Sequence, residues 1–366
     1  MSKPATLQTV AENLGLSKTT VSVALRGRPG VSETMRARIL AEAKRVGYQP
    51  NTAQAELMAI VRARRRAKGT ETIAFINTFQ QDPSLLRRVR GFRMFLEGAI
   101  EQGKEFGYRV EEFRVADYGP TSKRLDQVLK SRGIRGILLG PRHMDEPEIS
   151  LDWSAYSCVL VGESTYGARI HRVCNHHPQT MELALTSMAA LGYQRIGVEL
   201  MADYESVRHF DFLAGVEPAR LEFGEAVKVF VRIKPSHPVP GMEPIPPERR
   251  NEFWKNYSNS HELPLLEQWV RQERLDGLVT LHAYDKEGIK LIRTAIGRPL
   301  GYAELDTHIT EGCAGINEHS DDIGRTAVHL LRGLLHAGEK GSAPMPRIVL
   351  IEGEWIDGPT APRIDP

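Results

Sequence analysis

The sequence predicts an α/β chain in two parts: a small all-α helix-turn-helix headpiece at the N-terminus, then a two-lobed body of parallel, doubly wound sheets. Three observations carry that prediction. Residues 6–47 place apolar side chains at helical spacing between glycine turns, and from Thr72 onward short apolar runs alternate with amphipathic segments. The charge also changes sign between the parts. Residues 1–68 hold 13 Lys and Arg against 4 Glu, a net of +9, and the remainder holds 35 against 42, a net of −7. The whole-chain balance of +2 conceals this contrast.

In the headpiece, Leu7, Val10, Ala11 and Leu14 fall at i, i+3, i+4 and i+7, with Thr6 at the N-cap. This predicts a first helix from Thr6 to about Asn13. Gly15 permits a tight turn, Leu16 can plug the core, and Ser17 offers its hydroxyl to the first free amides of a second helix. Along that second helix Val21, Ala24 and Leu25 face inward. Lys18, Thr19, Ser22, Val23 and Arg26 are left on the exposed stripe, where small polar and cationic side chains suit base edges and phosphates. Gly27 and Pro29-Gly30 interrupt the pattern. Ser32 then caps a third helix whose Met35, Ile39, Ala43 and Val46 close the core before Gly47 ends it.

The segment Asn51 to Ile60 carries Ala53, Leu57, Met58 and Ile60 and leads into a basic run ending at Lys68. A helix this short is marginal alone, so it needs outside help to form. A basic head on an acidic body is expected when only the head meets a polyanion, because each phosphate neutralised by Lys or Arg releases counterions. The alternative for Arg64-Arg65-Arg66 in particular is an ordinary solvated basic face.

The body reads as strand at Ile73–Ile76, helix at Val89–Phe106, strand at Arg109–Phe113, helix at Leu125–Lys130 and buried strand at Gly136–Gly140. Val159–Gly162, the helix Met181–Leu191, Ile196–Leu200 and Gly277–Val279 continue the alternation, which implies right-handed crossovers between parallel strands. The expected division is 1–50 for the headpiece, 51–69 for a hinge helix and basic linker, and 70–366 for the body. Within the body, one lobe takes about 70–165 plus 318–345 and the other about 166–317 plus 346–366. The proline-rich stretch Pro235 to Pro264, with Phe253-Trp254 inside, is expected as an inserted loop able to cover a cleft.

The run Thr6 to Ala11, then Ser17 to Ser22, Val31-Ser32, Gly47 to Asn51 and Leu57 resembles the headpiece of the lac repressor and galactose repressor family, without a gap over residues 6–57. The body resembles that family's periplasmic-binding-protein-like effector domain. Carrying this are Phe106-Gly107-Tyr108, Ile134 to Ile137, Leu191 to Gly197, Leu275 to Gly277, Gly301-Tyr302 and Ile323 to Val328. The resemblance implies a transcriptional regulator, an effector-controlled homodimeric repressor of a pseudo-palindromic operator in double-stranded DNA. It implies that Thr6, Ser17, Thr20, Ser22, Val31, Ser32 and Asn51 hold phosphates or helix ends. Lys18, Thr19 and Val23 would face bases, Tyr48 would contact DNA at the hinge, and Leu57 would wedge into a minor-groove step. Leu7, Gln54 and Arg26 complete the DNA-contacting set.

Two departures from the family pattern bear on specificity. Many relatives carry arginine where Val23 stands, and arginine reads guanine through a bidentate pair. Valine offers only methyls, so a thymine methyl or no preference is expected there, with Lys18 and Arg26 available for guanine. In the effector cleft, Asn175-His176-His177-Pro178-Gln179, Tyr284-Asp285 and Ala303-Glu304 replace the usual sugar-bonding pattern. The candidates that remain for a small-molecule effector, a polyol or acid, are Arg208, Trp254, Tyr284, Asp285, Asp306 and Glu318.

Catalysis is not expected. There is no glycine-rich phosphate loop with lysine, no nucleophile elbow and no diagnostic carboxylate pair. His171, Cys174, His176 and His177 cluster, but their spacing fits no common zinc module and reads as a loop of ordinary histidines, so neither metal nor cofactor is expected. Three cysteines, widely spaced, fit a reducing compartment. The polar Met1–Ala5 and the lack of a long apolar run make the cytoplasm the expected location, with no membrane partner. Dimerisation is expected because one headpiece spans only a few base pairs. The helix after Phe92 and the apolar stretch Ala327 to Leu335 are candidate surfaces for it. The alternative function is a small-molecule-binding or catalytic protein whose basic head anchors nucleic acid without specificity.

Overall fold

The computed structural model describes residues 6–25, 30–48, 71–78, 90–119, 122–142, 149–164, 168–202, 211–234, 262–281, 286–307 and 312–364. The chain divides into two compact units, residues 1–69 and 70–366.

Among the described residues, the first unit holds three helices: α1 (Leu7–Leu14), α2 (Lys18–Leu25) and α3 (Glu33–Arg45). Thr6 and Thr9 form a reciprocal cap, the Thr9 amide donating to Thr6 Oγ1 at 3.3 Å and the Thr6 amide to Thr9 Oγ1 at 3.2 Å. Gly15, at φ +67°, ends α1 in the left-handed region. The paired bonds from Gly15 N to Glu12 O and from Leu16 N to Ala11 O then satisfy the terminal carbonyls. Val10, Ala11, Val21, Ala24, Ile39 and Ala43 are buried where the helices meet, and Leu7, Leu16, Met35, Val46 and Tyr48 pack around them.

The second unit contains two six-stranded sheets. The first uses β1 (Glu71–Asn77), β2 (Tyr108–Arg114), β3 (Gly136–Leu139), β4 (Ser157–Val161) and β5 (His171–Asn175), with α4 (Arg90–Glu105) and α5 (Lys123–Ser131) between strands. The chain then enters α6 (His177–Ala190) and builds the second sheet. It passes through β6 (Arg195–Met201), α7 (Val216–Phe223), β7 (Lys228–Lys234) and α8 (Leu263–Gln272), then β8 (Gly277–Thr280), α9 (Lys286–Ile296), β9 (Gly301–Glu304) and β10 (Ala314–Asn317). It returns through α10 (Ser320–Ala337), adds β11 (Ile348–Ile351) to the first sheet and ends with β12 (Glu354–Ile356) in the second.

The strand orders are 11-5-4-3-1-2 and 12-10-9-8-6-7, so the second sheet repeats the topology of the first. Every pairing is parallel except β12 against β10. Buried apolar strands covered by helices on both faces are what parallel sheets require.

Several expectations are corrected here. Residues 171–175 form a buried strand of the first sheet, so its lobe extends to about 175 instead of 165. β11 also belongs to that sheet, so the last return to the second lobe falls after 351, not at 345. His171 and Cys174 accordingly lie inside the sheet and not on a loop. The strands β7, β9, β10, β11 and β12 do not stand out in the sequence pattern. The inward faces of the two candidate dimer surfaces pack against each other, Phe92, Phe95 and Ala99 of α4 with Ala327, Val328, Leu331 and Leu334 of α10 in one core, while Ile100 on the other face of α4 is exposed. The contact between the two helices is close. A Cβ on Gly98 would sit 2.0 Å from Asp321 O, and one on Gly324 would sit 2.0 Å from Phe95 O. Among the described residues, no helix is long and apolar enough to cross a membrane.

Candidate nucleic-acid interface and effector cleft

Each headpiece helix begins on a hydroxyl. Ser17 Oγ accepts from the Thr20 amide at 3.1 Å and lies 2.8 Å from Thr20 Oγ1, and Ser32 Oγ accepts from the Met35 amide at 3.4 Å. The outer face of α2 presents Lys18 and Thr19 to solvent, while Thr20, Ser22 and Val23 are half-buried. Val23 therefore projects less than the exposed stripe expected from sequence. Leu7, Val31 and Tyr48 are half-buried against the headpiece core, so each contributes packing whatever else it touches. Arg26, Asn51, Gln54 and Leu57 lie outside the described residues.

Two polar ties hold the helices in place. Asn13 Nδ2 donates to Glu42 Oε1 at 2.7 Å, joining α1 to α3, and Arg45 donates to both Glu42 oxygens at 2.7 and 2.6 Å. Those bonds, Arg45 first and then Asn13, lower the Glu42 carboxyl from 4.5 to about 2. Arg36 Nη1 donates to Ala24 O at 3.2 Å, joining α3 to the end of α2. Neither tie was read from sequence. The only signal was a charged residue at a position where α3 turns toward its neighbours.

In the body, open parallel sheets place ligands beyond the carboxyl ends of their strands, at the point where strand order reverses. Here that point lies between β1 and β3 and between β6 and β8. The strand ends of the first sheet are linked by polar bonds. Asn77 Nδ2 donates to Glu112 Oε1 at 2.6 Å, Thr78 Oγ1 to Pro141 O at 3.1 Å, and the Arg142 amide to Ser164 Oγ at 2.6 Å. In the second sheet Tyr302 Oη donates to Glu304 Oε1 at 3.2 Å and lies 3.1 Å from Thr280 Oγ1, with all three side chains buried. The Ala303-Glu304 pair thus sits on strand β9, its carboxylate engaged from within.

Among the described residues the chain passes between lobes at 176, 318–319 and 352–353, and these passages are bonded to one another. The His176 amide donates to Ile351 O at 2.8 Å, Asn175 Nδ2 to Glu318 O at 2.9 Å, and the Gly353 amide to Gln179 Oε1 at 3.1 Å. His177 Nδ1 lies 3.3 Å from Glu318 Oε1, and His319 Nε2 lies 3.6 Å from Glu354 Oε2. Of the effector candidates, Glu318 is therefore buried at a lobe passage, and Asp306 is half-buried just past β9. Arg208, Trp254, Tyr284 and Asp285 lie outside the described residues. Asn175 and His177 were not read as site residues, because their burial depends on partners over 140 positions away. Among the described residues, no group of three or more His, Cys, Asp or Glu could hold a metal ion.

His171 has a separate partner set. Its Nδ1 accepts the Arg347 amide at 2.9 Å, and its Nε2 lies 2.7 Å from Glu339 Oε1. An acceptor Nδ1 leaves the ring proton on Nε2, directed at the carboxylate. Burial acts to raise the Glu339 pKa, but the bonds from His171 and Arg347 outweigh it and hold the carboxyl below its ordinary range.

Comparison with known proteins gives the following. Residues 6–51 match the model of the bacterial regulatory proteins of the lacI family. A 54-residue stretch is 50% identical to the HTH-type transcriptional regulator AglR of Rhizobium meliloti, covering 15% of each chain. A 203-residue stretch is 27% identical to the HTH-type transcriptional regulator reg1 of Streptomyces lividans, covering 53% of each. The chain thus spans at most about half the length of either of these relatives. Among solved structures, a complex of the transcriptional regulator CelR with cellobiose matches at a TM-score of 0.54 and 17% identity, over 97% of this chain and 99% of that one. At that identity the likeness speaks for the fold.

Proposed function

We propose, for a chain that through its headpiece belongs to the lacI family of bacterial regulatory proteins, that it is a sequence-specific DNA-binding transcriptional regulator acting in the cytoplasm as an effector-controlled homodimer. One observation carries the reading: α2, capped at Ser17 and seated on a closed core, presents Lys18 and Thr19 outward from a unit of strongly positive charge. A helix so held enters the major groove as a rigid body, with phosphate contacts supplying affinity and base edges supplying sequence. Two headpieces related by a two-fold axis double the site and match a palindrome. Residues 51–60 would then pair at its centre, with Leu57 as the minor-groove wedge.

The body is the control element in this reading. A small polar effector, with a sugar as the leading class, would lie beyond the strand ends between the lobes, near Glu318 and Asp306. By favouring one lobe arrangement it would bias the spacing of the headpieces, a coupling on the order of 1–3 kcal/mol.

The test uses the full chain, a two-fold symmetric duplex selected from a random pool, and a random duplex of equal length at physiological salt. Tighter binding of the selected duplex, by a factor on the order of 10³ or more, is expected. Equal binding would leave non-specific anchoring, the second reading, in its place. Calorimetry with a sugar panel, with and without the selected duplex, tests the effector.

A further inference from the structure

We infer that Arg36 is a positioning residue for DNA reading: it fastens the carboxyl end of α2 from α3 and does not contact a phosphate. The inference rests on the function proposed above. A helix that reads base edges presents its side chains in register only if both of its ends are fixed. Ser17 fixes the first. At the other end the last carbonyls of any α-helix lack partners within the helix.

Arg36 supplies one. Its Nη1 donates to Ala24 O at 3.2 Å, and its guanidinium brings positive charge to the negative end of the α2 dipole. The side chain is only 16% exposed, and Nε lies 3.5 Å from Glu33 Oε1 on the same helix. α3 is itself tied to α1 through Asn13, Glu42 and Arg45. The orientation of Lys18, Thr19 and Val23 therefore depends on a cation directed into the headpiece, in a unit whose net charge would assign every arginine to the DNA backbone.

The experiment measures binding of the full chain to the selected and random duplexes across a salt series. For Arg36→Met, the ratio of selected to random affinity is expected to fall about tenfold, while the log–log salt slope stays within about 0.5 of the wild-type value. A loss of folded protein would weaken both duplexes equally and leave the ratio unmoved, so the ratio separates positioning from stability. Arg36→Lys keeps the charge and a donor of shorter reach. It is expected to recover part of the ratio, and it decides the matter if the methionine variant loses its helical circular dichroism. A slope shallower by about 0.9 per Arg36 with the ratio unchanged would make Arg36 a phosphate contact and overturn the inference. An unchanged ratio with an unchanged slope overturns it too. If the wild type itself fails to discriminate, the DNA-reading function falls first and the inference with it.

Discussion

Glu42 links the headpiece's architecture to its behaviour in acid. With its carboxyl lowered to about 2 in the folded state against an ordinary 4.5, it favours folding above pH 4.5. That contribution declines as the pH falls from there to about 2. The hydrogen-exchange protection of residues 7–45, taken relative to intrinsic exchange at each pH, is therefore expected to fall across this window, and Glu42→Gln is expected to remove most of the dependence. Val23 bears on base preference: Val23→Arg should create a guanine preference of about 1–3 kcal/mol in a site selection, where the wild type selects a thymine methyl or nothing. The capping residues of this unit were legible in sequence because a cap depends on side chains within three positions. Arg36 was not, since its acceptor is twelve positions away and is a main-chain oxygen.

Among the elements, the crossing of α4 and α10 is the tightest contact to test. Gly324→Ala would drive a methyl against Phe95 O and is expected to destabilise the body by about 1–3 kcal/mol in chemical denaturation. Gly333 lies on the exposed face of the same helix, and a Cβ there meets nothing within 4 Å. Gly333→Ala should therefore stabilise, by up to about 1 kcal/mol. Opposite signs for two Gly→Ala changes in one helix separate packing from propensity. Most of the body's alternation was legible because strands such as β1 and β3 are continuous apolar runs. β5 was not, because its His171 and Arg172 imitate a polar loop. That strand is buried only because Glu339 and the Arg347 amide, far along the chain, satisfy His171. The lobe boundaries were misplaced for the same reason, since strand membership there is set by pairing with β11 and not by local composition.

For the whole molecule, two sheets of one topology joined by bonded passages make a body whose lobes can move only together with those passages. The headpiece is a separate compact unit. Deleting residues 1–69 is thus expected to leave a body with a cooperative melting transition and no DNA binding, as read by calorimetry and anisotropy. The candidate cleft was legible as a place, through the strand-end rule, and Glu318 was legible within it, while Asn175 and His177 were not. Asn175, His177 and Glu318 come together only once both lobes exist.

The final strands also carry a message about biogenesis. β11 closes one sheet and β12 the other, yet both follow every other strand in chain order. A ribosome must therefore make all the other strands before either lobe can seal this edge, and until then β5 and β10 offer open pairing positions to any neighbouring chain. A chain stopped at Ala343 should accordingly partition into the insoluble fraction on expression, whereas the chain that continues through β12 stays in solution. Recovery of that truncation as a monomeric, cooperatively melting protein would show that the late strands are dispensable.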